Sequence, residues 1–285
     1  MEFGIIFANT GTYTEAEGAR VIASAAEEAG LDSLWTVEHV VVPSGYESPY
    51  PYSKSGKMPG PEESPIPDPL IWLTYVAAVT TRLKLGTGIL ILPQRNPVVT
   101  AKEVATLDRL SGGRVLLGVG VGWLEEEFDA LGVPFEGRGA RLDEYVAALR
   151  ALWTEDKATF QGDFVSFTDC ILRPQPVDGT VPIHIGGHTQ RAARRAGELG
   201  DGFFPGVGDP AKLEGLLATM RSSAETAGRD PDAIEVTAGG VLDPDGVKRF
   251  ADLGVHRVVI PPLAYDEEGL RRQLGTFAED VIAKV

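Results

Sequence analysis

Two rhythms of apolar and polar positions take turns along this chain from end to end. Short runs that are apolar at nearly every position (FGIIFA, SLWT, LKLGTGIL, RVLLGV, PIHI, DGFF, IEVTA, VHRVVI) read as strands buried on both faces, as in a parallel sheet. Longer stretches with apolar residues at helical spacing separate them. Strands are predicted at 3–8, 33–36, 83–90, 114–119, 182–185, 201–204, 234–238 and 255–260. Helices are predicted at 15–29, 69–79, 97–110, 138–153, 189–199, 210–227, 243–253 and 267–281. Asp68 reads as an N-cap with Pro69 at the first helical position, and Ser111-Gly112-Gly113 as a helix stop.

Eight strand–helix units in a row favour a closed (β/α)8 TIM barrel over an open sheet. No linker or repeat interrupts them, so residues 1–285 are expected to form one domain. The spacing is uneven. A Pro-, Gly-, Ser- and Tyr-rich loop fills 43–67, and 157–168 alternates like a small hairpin. Insertions of this kind on barrel loops usually build lids and substrate walls.

Charge and cysteine content narrow the partners. The formal net charge of −15 argues against nucleic acid and anionic membrane. With Cys170 as the only cysteine, no intrachain disulfide and no thiolate zinc site can form, and Cys170 reads as inert. No metal-ligand, Walker A, nucleophile-elbow or EF-hand pattern is present. The N-terminus has no basic region before its apolar run, and no run of about 18 apolar residues exists. A cytoplasmic protein with a small-molecule substrate is expected.

Candidate chemistry collects where predicted strands end, because ligands of α/β barrels bind there. Glu38-His39 follows the second strand. Its imidazole suits proton transfer near neutral pH, with the adjacent carboxylate to orient it. Gly186-Gly187-His188-Thr189 joins the fifth strand to a helix whose N-terminus offers free N–H groups to a phosphate. Arg191 adds charge there, whereas Arg194 and Arg195 are expected to face solvent. Thr87, Gly88 and Ile89 close the third strand, where a small glycine would let a flat ring rest on the backbone. Gly118–Gly122 has G-x-G-x-G spacing rather than a dinucleotide fingerprint; Gly120 and Gly122 are read as lying close to a ring or tail. Tyr46, Tyr50 and Tyr52 offer an aromatic wall. His184 and His256 read as core or barrel-end residues.

Four segments together, DSLWTVEHVVVP (32–43), LGTGILILPQRNPVVTAKEVATLDRLSGGR (85–114), LGVGVGWLEEEFDALG (117–132) and IGGHTQRAARRA (185–196), resemble the bacterial luciferase-like superfamily, in particular its F420-dependent oxidoreductase branch. The resemblance runs over almost the whole chain. It implies a (β/α)8 barrel that binds F420 or FMN at its carboxyl end. It also implies a non-prolyl cis peptide at Gly88-Ile89 behind the ring, a cofactor phosphate at Gly186–Thr189, and His39 near ring and substrate. Relatives commonly form dimers, so a homodimer is implied as well.

One departure stands out. F420-dependent sugar-phosphate dehydrogenases carry a catalytic glutamate after the fourth-strand glycines, where this chain has Trp123. The tryptophan they carry shortly after the histidine is Pro43 here. A flatter or less polar substrate is therefore expected, with Trp123, Tyr46 and Tyr50 shaping its pocket. Glu125 or Glu126 is the candidate to supply a carboxylate. The leading expectation is hydride transfer between F420 and a small organic substrate. The alternatives are an FMN-dependent monooxygenase of the same fold and a cofactor-binding protein with little turnover. The acidic tail of F420 sits against the net charge, and Arg95, Arg138 and Arg141 are the residues expected to compensate for it.

Overall fold

The computed structural model describes residues 1–285. Eight parallel strands form the barrel: β1 (Glu2–Ile6), β2 (Ser33–Thr36), β3 (Lys84–Thr87), β4 (Val115–Gly120), β5 (Ile183–Gly186), β6 (Gly202–Phe204), β7 (Glu235–Gly239) and β8 (Arg257–Ile260). Each pairs with its neighbours in chain order, and β1 against β8 closes the cylinder. The seam between β3 and β4 is held by Leu85 opposite Val115 and Gly86 opposite Leu116.

Eight helices wrap the barrel: α1 (Ala16–Glu28), α2 (Pro69–Ala77), α3 (Pro97–Ser111), α4 (Arg138–Thr154), α5 (Gln190–Leu199), α6 (Pro210–Thr226), α7 (Pro244–Asp252) and α8 (Glu267–Asp280). The main core lies between their inner faces and the outer face of the barrel. Four of them start with the same device. Asp68, Asn96, Asp209 and Asp243 accept hydrogen bonds from the first free N–H groups, with proline at the next position. Such caps fix where each strand–helix loop ends. No helix is long and apolar enough to cross a membrane.

The cis peptide between Gly88 and Ile89 is present, as the resemblance implied. Two features differ from the sequence expectation. The third predicted strand, 83–90, is interrupted there, and Leu90–Ile91 resumes beside Val119 and Gly120. A short helix, Glu125–Ala130, lies between β4 and α4. Its six residues are too few to show a helical period, so pattern reading passes over it. The hairpin Ala158–Gln161/Ser166–Cys170 is present as predicted.

The barrel interior holds unusually large side chains at positions flanked by glycine. Trp35 is wholly buried, with its indole N–H donated to Ser33 at 2.9 Å. A Cβ at Gly86 would lie 2.4 Å from its ring, and one at Gly202 would lie 2.1 Å from the His184 ring. These glycines make room for rings of this chain. Below Trp35 the floor is charged. Arg257 is fully buried and donates to Glu2, Glu235 and Thr237, while Lys84 bonds Glu2 at 2.9 Å. His184 stands among them with neither ring nitrogen bonded. Burial, then the nearby Arg257 and Lys84, pushes its pKa down to about 3. The expectation of a core histidine thus agrees with its placement.

Candidate active site

One buried side chain fixes both ends of the 43–67 insertion. The Asn9 amide donates to the Val37 carbonyl at 2.9 Å and to the Pro67 carbonyl at 3.2 Å, and its oxygen accepts the Val37 N–H at 2.8 Å. Beyond Val37 the chain sends two neighbouring side chains to different partners. Glu38 turns to Arg95, which donates from Nε at 2.9 Å and from Nη2; Glu38 also accepts the Ile91 N–H. Arg95 bonds Asp68 at 2.7 Å as well, so the triad ties the ends of β2 and β3 to the start of α2. Burial pushes the Glu38 carboxyl up, and Arg95 opposes that shift. Glu38 therefore does not orient His39, contrary to the sequence expectation. Adjacent residues leaving a strand point to opposite sides.

The partner of His39 is Glu127 on the short helix Glu125–Ala130. His39 Nδ1 lies 3.0 Å from Glu127 Oε2, and Glu127 Oε1 accepts the Val40 N–H at 2.6 Å. Glu127 is completely buried. Neither Glu125 nor Glu126 reaches the histidine. Glu126 instead accepts the N–H groups of Glu47 at 2.7 Å and Ser48 at 3.0 Å, anchoring the insertion. What burial does to raise its pKa is outweighed by hydrogen bonds from Ser48 and Glu47, which hold it at about 2. No sequence signal singled out Glu127, because its six-residue helix is too short to show a period.

The predicted aromatic residues do come together. Trp123 meets the rings of His39, Tyr46 and Tyr50 edge-on at 5.7, 5.5 and 5.2 Å. Tyr50 continues to Tyr52 at 5.4 Å, and Tyr52 meets His188 at 4.8 Å. A row of rings thus runs from the end of β2 to the end of β5. Tyr46 is buried, accepts the Met58 N–H at 2.9 Å, and carries the Lys57 ammonium 3.9 Å above its ring. A cavity of about 300 Å³ beside His39 is lined by Gln94, Arg95, Ile66 and Leu131.

At the other end, Gly187 takes φ +128°, a conformation open to glycine, and donates its N–H to the Phe204 carbonyl at 3.2 Å. Thr189 caps α5 by accepting the Ala192 N–H at 3.2 Å. The turn opens on a cleft of about 750 Å³ lined by Tyr52, Lys54, His188, Gln190, Asp209 and Lys212, among others. Burial, then Lys212, lowers the pKa of His188. The cleft brings together the N-terminal ends of α5 and α6 with two lysines; the α6 end is already capped by the Asp209 carboxylate, so the α5 end is the one open to an anion.

Several residues expected at the ligand are engaged within the chain. The buried Thr87 hydroxyl donates to the Gly118 carbonyl at 2.6 Å. A Cβ at Gly120 would meet Ile89 Cδ1 at 2.6 Å, one at Gly186 Ile89 Cγ2 at 2.4 Å, and one at Gly122 Ile91 and Phe128 at 2.8 Å. These three glycines seat isoleucines and a phenylalanine of the protein itself. A Cβ at Gly88 would meet Ile6 and Phe204. The arginines expected to offset an acidic tail are likewise in use. Arg95 serves Glu38; Arg141 is buried and donates to the Pro134 carbonyl at 2.8 Å; Arg138 lies 3.6 Å over the Phe135 ring. Arg195 is buried against Asp143 rather than in solvent, whereas Arg194 is exposed. Lys54 and Lys212 were not anticipated, because only the fold brings them to one cleft. Cys170 is half-buried in the hairpin, away from both cavities.

The profile of the luciferase-like monooxygenase family matches residues 1–242. An uncharacterised protein of Mycobacterium tuberculosis is 37% identical over 273 residues, covering 93% of this chain and 94% of that one. An F420-dependent glucose-6-phosphate dehydrogenase of Kineococcus radiotolerans is 35% identical over 218 residues, covering 74% of this chain but 59% of the longer dehydrogenase. Among solved structures, the coenzyme F420 dependent tetrahydromethanopterin reductase from Methanopyrus kandleri superposes with a TM-score of 0.76. It shares 19% identity, and the match covers 99% of this chain and 98% of the reductase. At that identity the likeness is one of fold: the closed eight-stranded barrel.

Proposed function

The chain belongs to the luciferase-like monooxygenase family and is an oxidoreductase, and from that premise we propose that it passes a hydride between F420 and a small organic substrate. The observation that carries this reading is the cleft beside His188 and Gln190, at the start of α5. It couples a capped helix N-terminus, suited to a phosphate, to Lys54 and Lys212, suited to an acidic tail. The similarity to an F420-dependent dehydrogenase supports it. The residues fit such a cofactor as follows. The unpaired N–H groups at the start of α5, with the Thr189 hydroxyl, would hold its phosphate, the two lysines its tail, and the cis Gly88–Ile89 segment would back its ring. When bound, the deazaflavin supplies the hydride chemistry.

The chain's own residues do the rest. His39 holds or moves a proton at Nε2, which has no partner in the protein. Trp123, Tyr46 and Tyr50 form an apolar wall beside it that excludes water and favours a flat, weakly polar substrate over a sugar phosphate. Residues 1–285 are read as one domain, because β1 and β8 pair directly and neither terminal strand has an edge to spare. A homodimer belongs to the same proposal, as the family resemblance implies.

Titration of the cofactor-free protein with F420 and, separately, FMN tests the proposal by fluorescence or calorimetry. Micromolar or tighter binding of F420, with FMN at least tenfold weaker, is the expected result. The reverse preference overturns it in favour of a flavin monooxygenase, which needs the phosphate turn but no tail site; oxygen consumption with reduced FMN would then be measured. Binding of neither removes the cofactor assignment while leaving the fold untouched.

A further inference from the structure

We infer that Glu127 is the positioning residue of His39: it fixes the proton on Nδ1 and leaves Nε2 as the nitrogen offered to a ligand. The inference deepens the role given to His39 above and rests on it. It begins from the donor and acceptor inventory. A carboxylate only accepts hydrogen bonds. Glu127 is wholly buried, with Oε1 taking the backbone N–H of Val40 at 2.6 Å and Oε2 facing His39 Nδ1 at 3.0 Å. For Oε2 to be satisfied there, Nδ1 must carry the proton and donate it. The neutral ring then presents a lone pair at Nε2, and the protonated ring presents Nε2–H.

The ring is also held against rotation. Trp123 packs edge-on against it with an interplanar angle of 86°, and the Val40 N–H bond pins the following backbone to the same carboxylate. Glu127 itself is set by its neighbours, since Leu124 and Phe128 are fully buried on either side of it. The other acidic residues nearby are spoken for: Glu38 by Arg95, Glu126 by Glu47 and Ser48. In the reduction of a carbonyl, the carbon gains a hydride from the reduced deazaflavin and the oxygen gains one proton. Nε2–H donates that proton and the ring returns to the neutral Nδ1–H form. Oxidation of an alcohol runs the same exchange backwards, with Nε2 accepting. Either direction needs Nε2 rather than Nδ1 to be the exchanging atom.

The test is the tautomer, read without cofactor or turnover. Long-range ¹⁵N–¹H correlation spectra of the full-length protein at neutral pH contain only four histidines, and loss of one pattern in H39Q assigns the ring. The expected pattern is Nδ1 protonated and Nε2 not; the opposite tautomer in the wild type overturns the inference. In E127Q the carboxamide oxygen keeps the Val40 N–H while its NH₂ donates to Nδ1, so the tautomer is expected to invert. An unchanged tautomer in E127Q overturns the inference, as does inversion in E126Q, which touches the loop and not the ring. With any substrate the wild type turns over, E127Q should lose about 100-fold or more in kcat, as a wrong tautomer does in other carboxylate–histidine pairs. Its KM and F420 affinity should stay within about twofold; an equal loss spread into binding would mark Glu127 as merely structural. Failure of F420 to bind at all leaves the tautomer result standing, so the two readings fail separately.

Discussion

The floor and the mouth of this barrel each hold a histidine, and the surroundings of the two are opposite. His184 on β5 is wholly buried beneath Trp35, beside the Arg257–Glu2–Glu235 cluster, and has no hydrogen bond. His39 just past β2 has a buried carboxylate on one ring nitrogen and none of the chain on the other. The floor spends its charges on each other and leaves its imidazole neutral. The mouth assigns one carboxylate to one imidazole and leaves a nitrogen free. Depth along the barrel axis separates a ring that packs from one that keeps a nitrogen free, in line with the sequence reading of His184 as core and His39 as a strand-end candidate.

The largest effect is expected at His39. H39Q should lower turnover by about 10²–10⁴-fold, the range for loss of a positioned general acid or base, with F420 affinity within about twofold of wild type. Turnover within threefold would place the chemistry elsewhere. The corresponding change at the floor should touch stability alone. His184 has a pKa near 3 in the folded protein against 6.5 in a free chain, so below pH 6.5 the unfolded state takes the proton first. Its contribution is complete above pH 6.5 and is lost as pH falls, by about 1.4 kcal/mol per unit at most, until the folded ring protonates near 3. Carboxylates titrate over part of the same range, so the measurement is a difference. Denaturant unfolding of H184L against wild type should show the variant gaining relative stability from pH 6.5 to 4.5. A pH-independent difference would mean that His184 is solvated.

Smaller effects sharpen the contrast between glycines that seat rings and residues that face the cleft. G86A would place a methyl 2.4 Å from Trp35 and should cost about 1–3 kcal/mol in urea unfolding, the usual range for overpacking. An unchanged midpoint would show that Trp35 can shift. K54A/K212A should leave unfolding unchanged and weaken F420 about tenfold, with a shallower dependence on salt. FMN should lose no more than about twofold. Equal losses for both cofactors would restrict the lysines to the phosphate.

The barrel was legible because burial on both faces writes itself into short, continuously apolar strands, and because signals such as the Asp68-Pro69 cap and the Ser111-Gly112-Gly113 stop punctuate the helices between them. His39, Trp123, Tyr46 and Tyr50 were legible as residues at strand ends or in a long insertion, and they do meet at the mouth. Glu38 misled because adjacency in sequence is not adjacency in space at a strand end. Glu127 lies 88 positions from its histidine, and its own helix is a turn and a half long, so no local period announces it. The glycines show the same division. Their crowding at strand ends was visible, but whether each makes room for a ligand or for the chain's own isoleucine depends on what lies across the barrel. Strand order, the Asp68 cap and the positions at which chemistry can be displayed follow from local propensity and burial pattern, and so could be read along the chain. Which carboxylate meets which imidazole, which arginines are already paired and which lysines share a cleft depend on distances set by barrel closure, and so emerge with the fold.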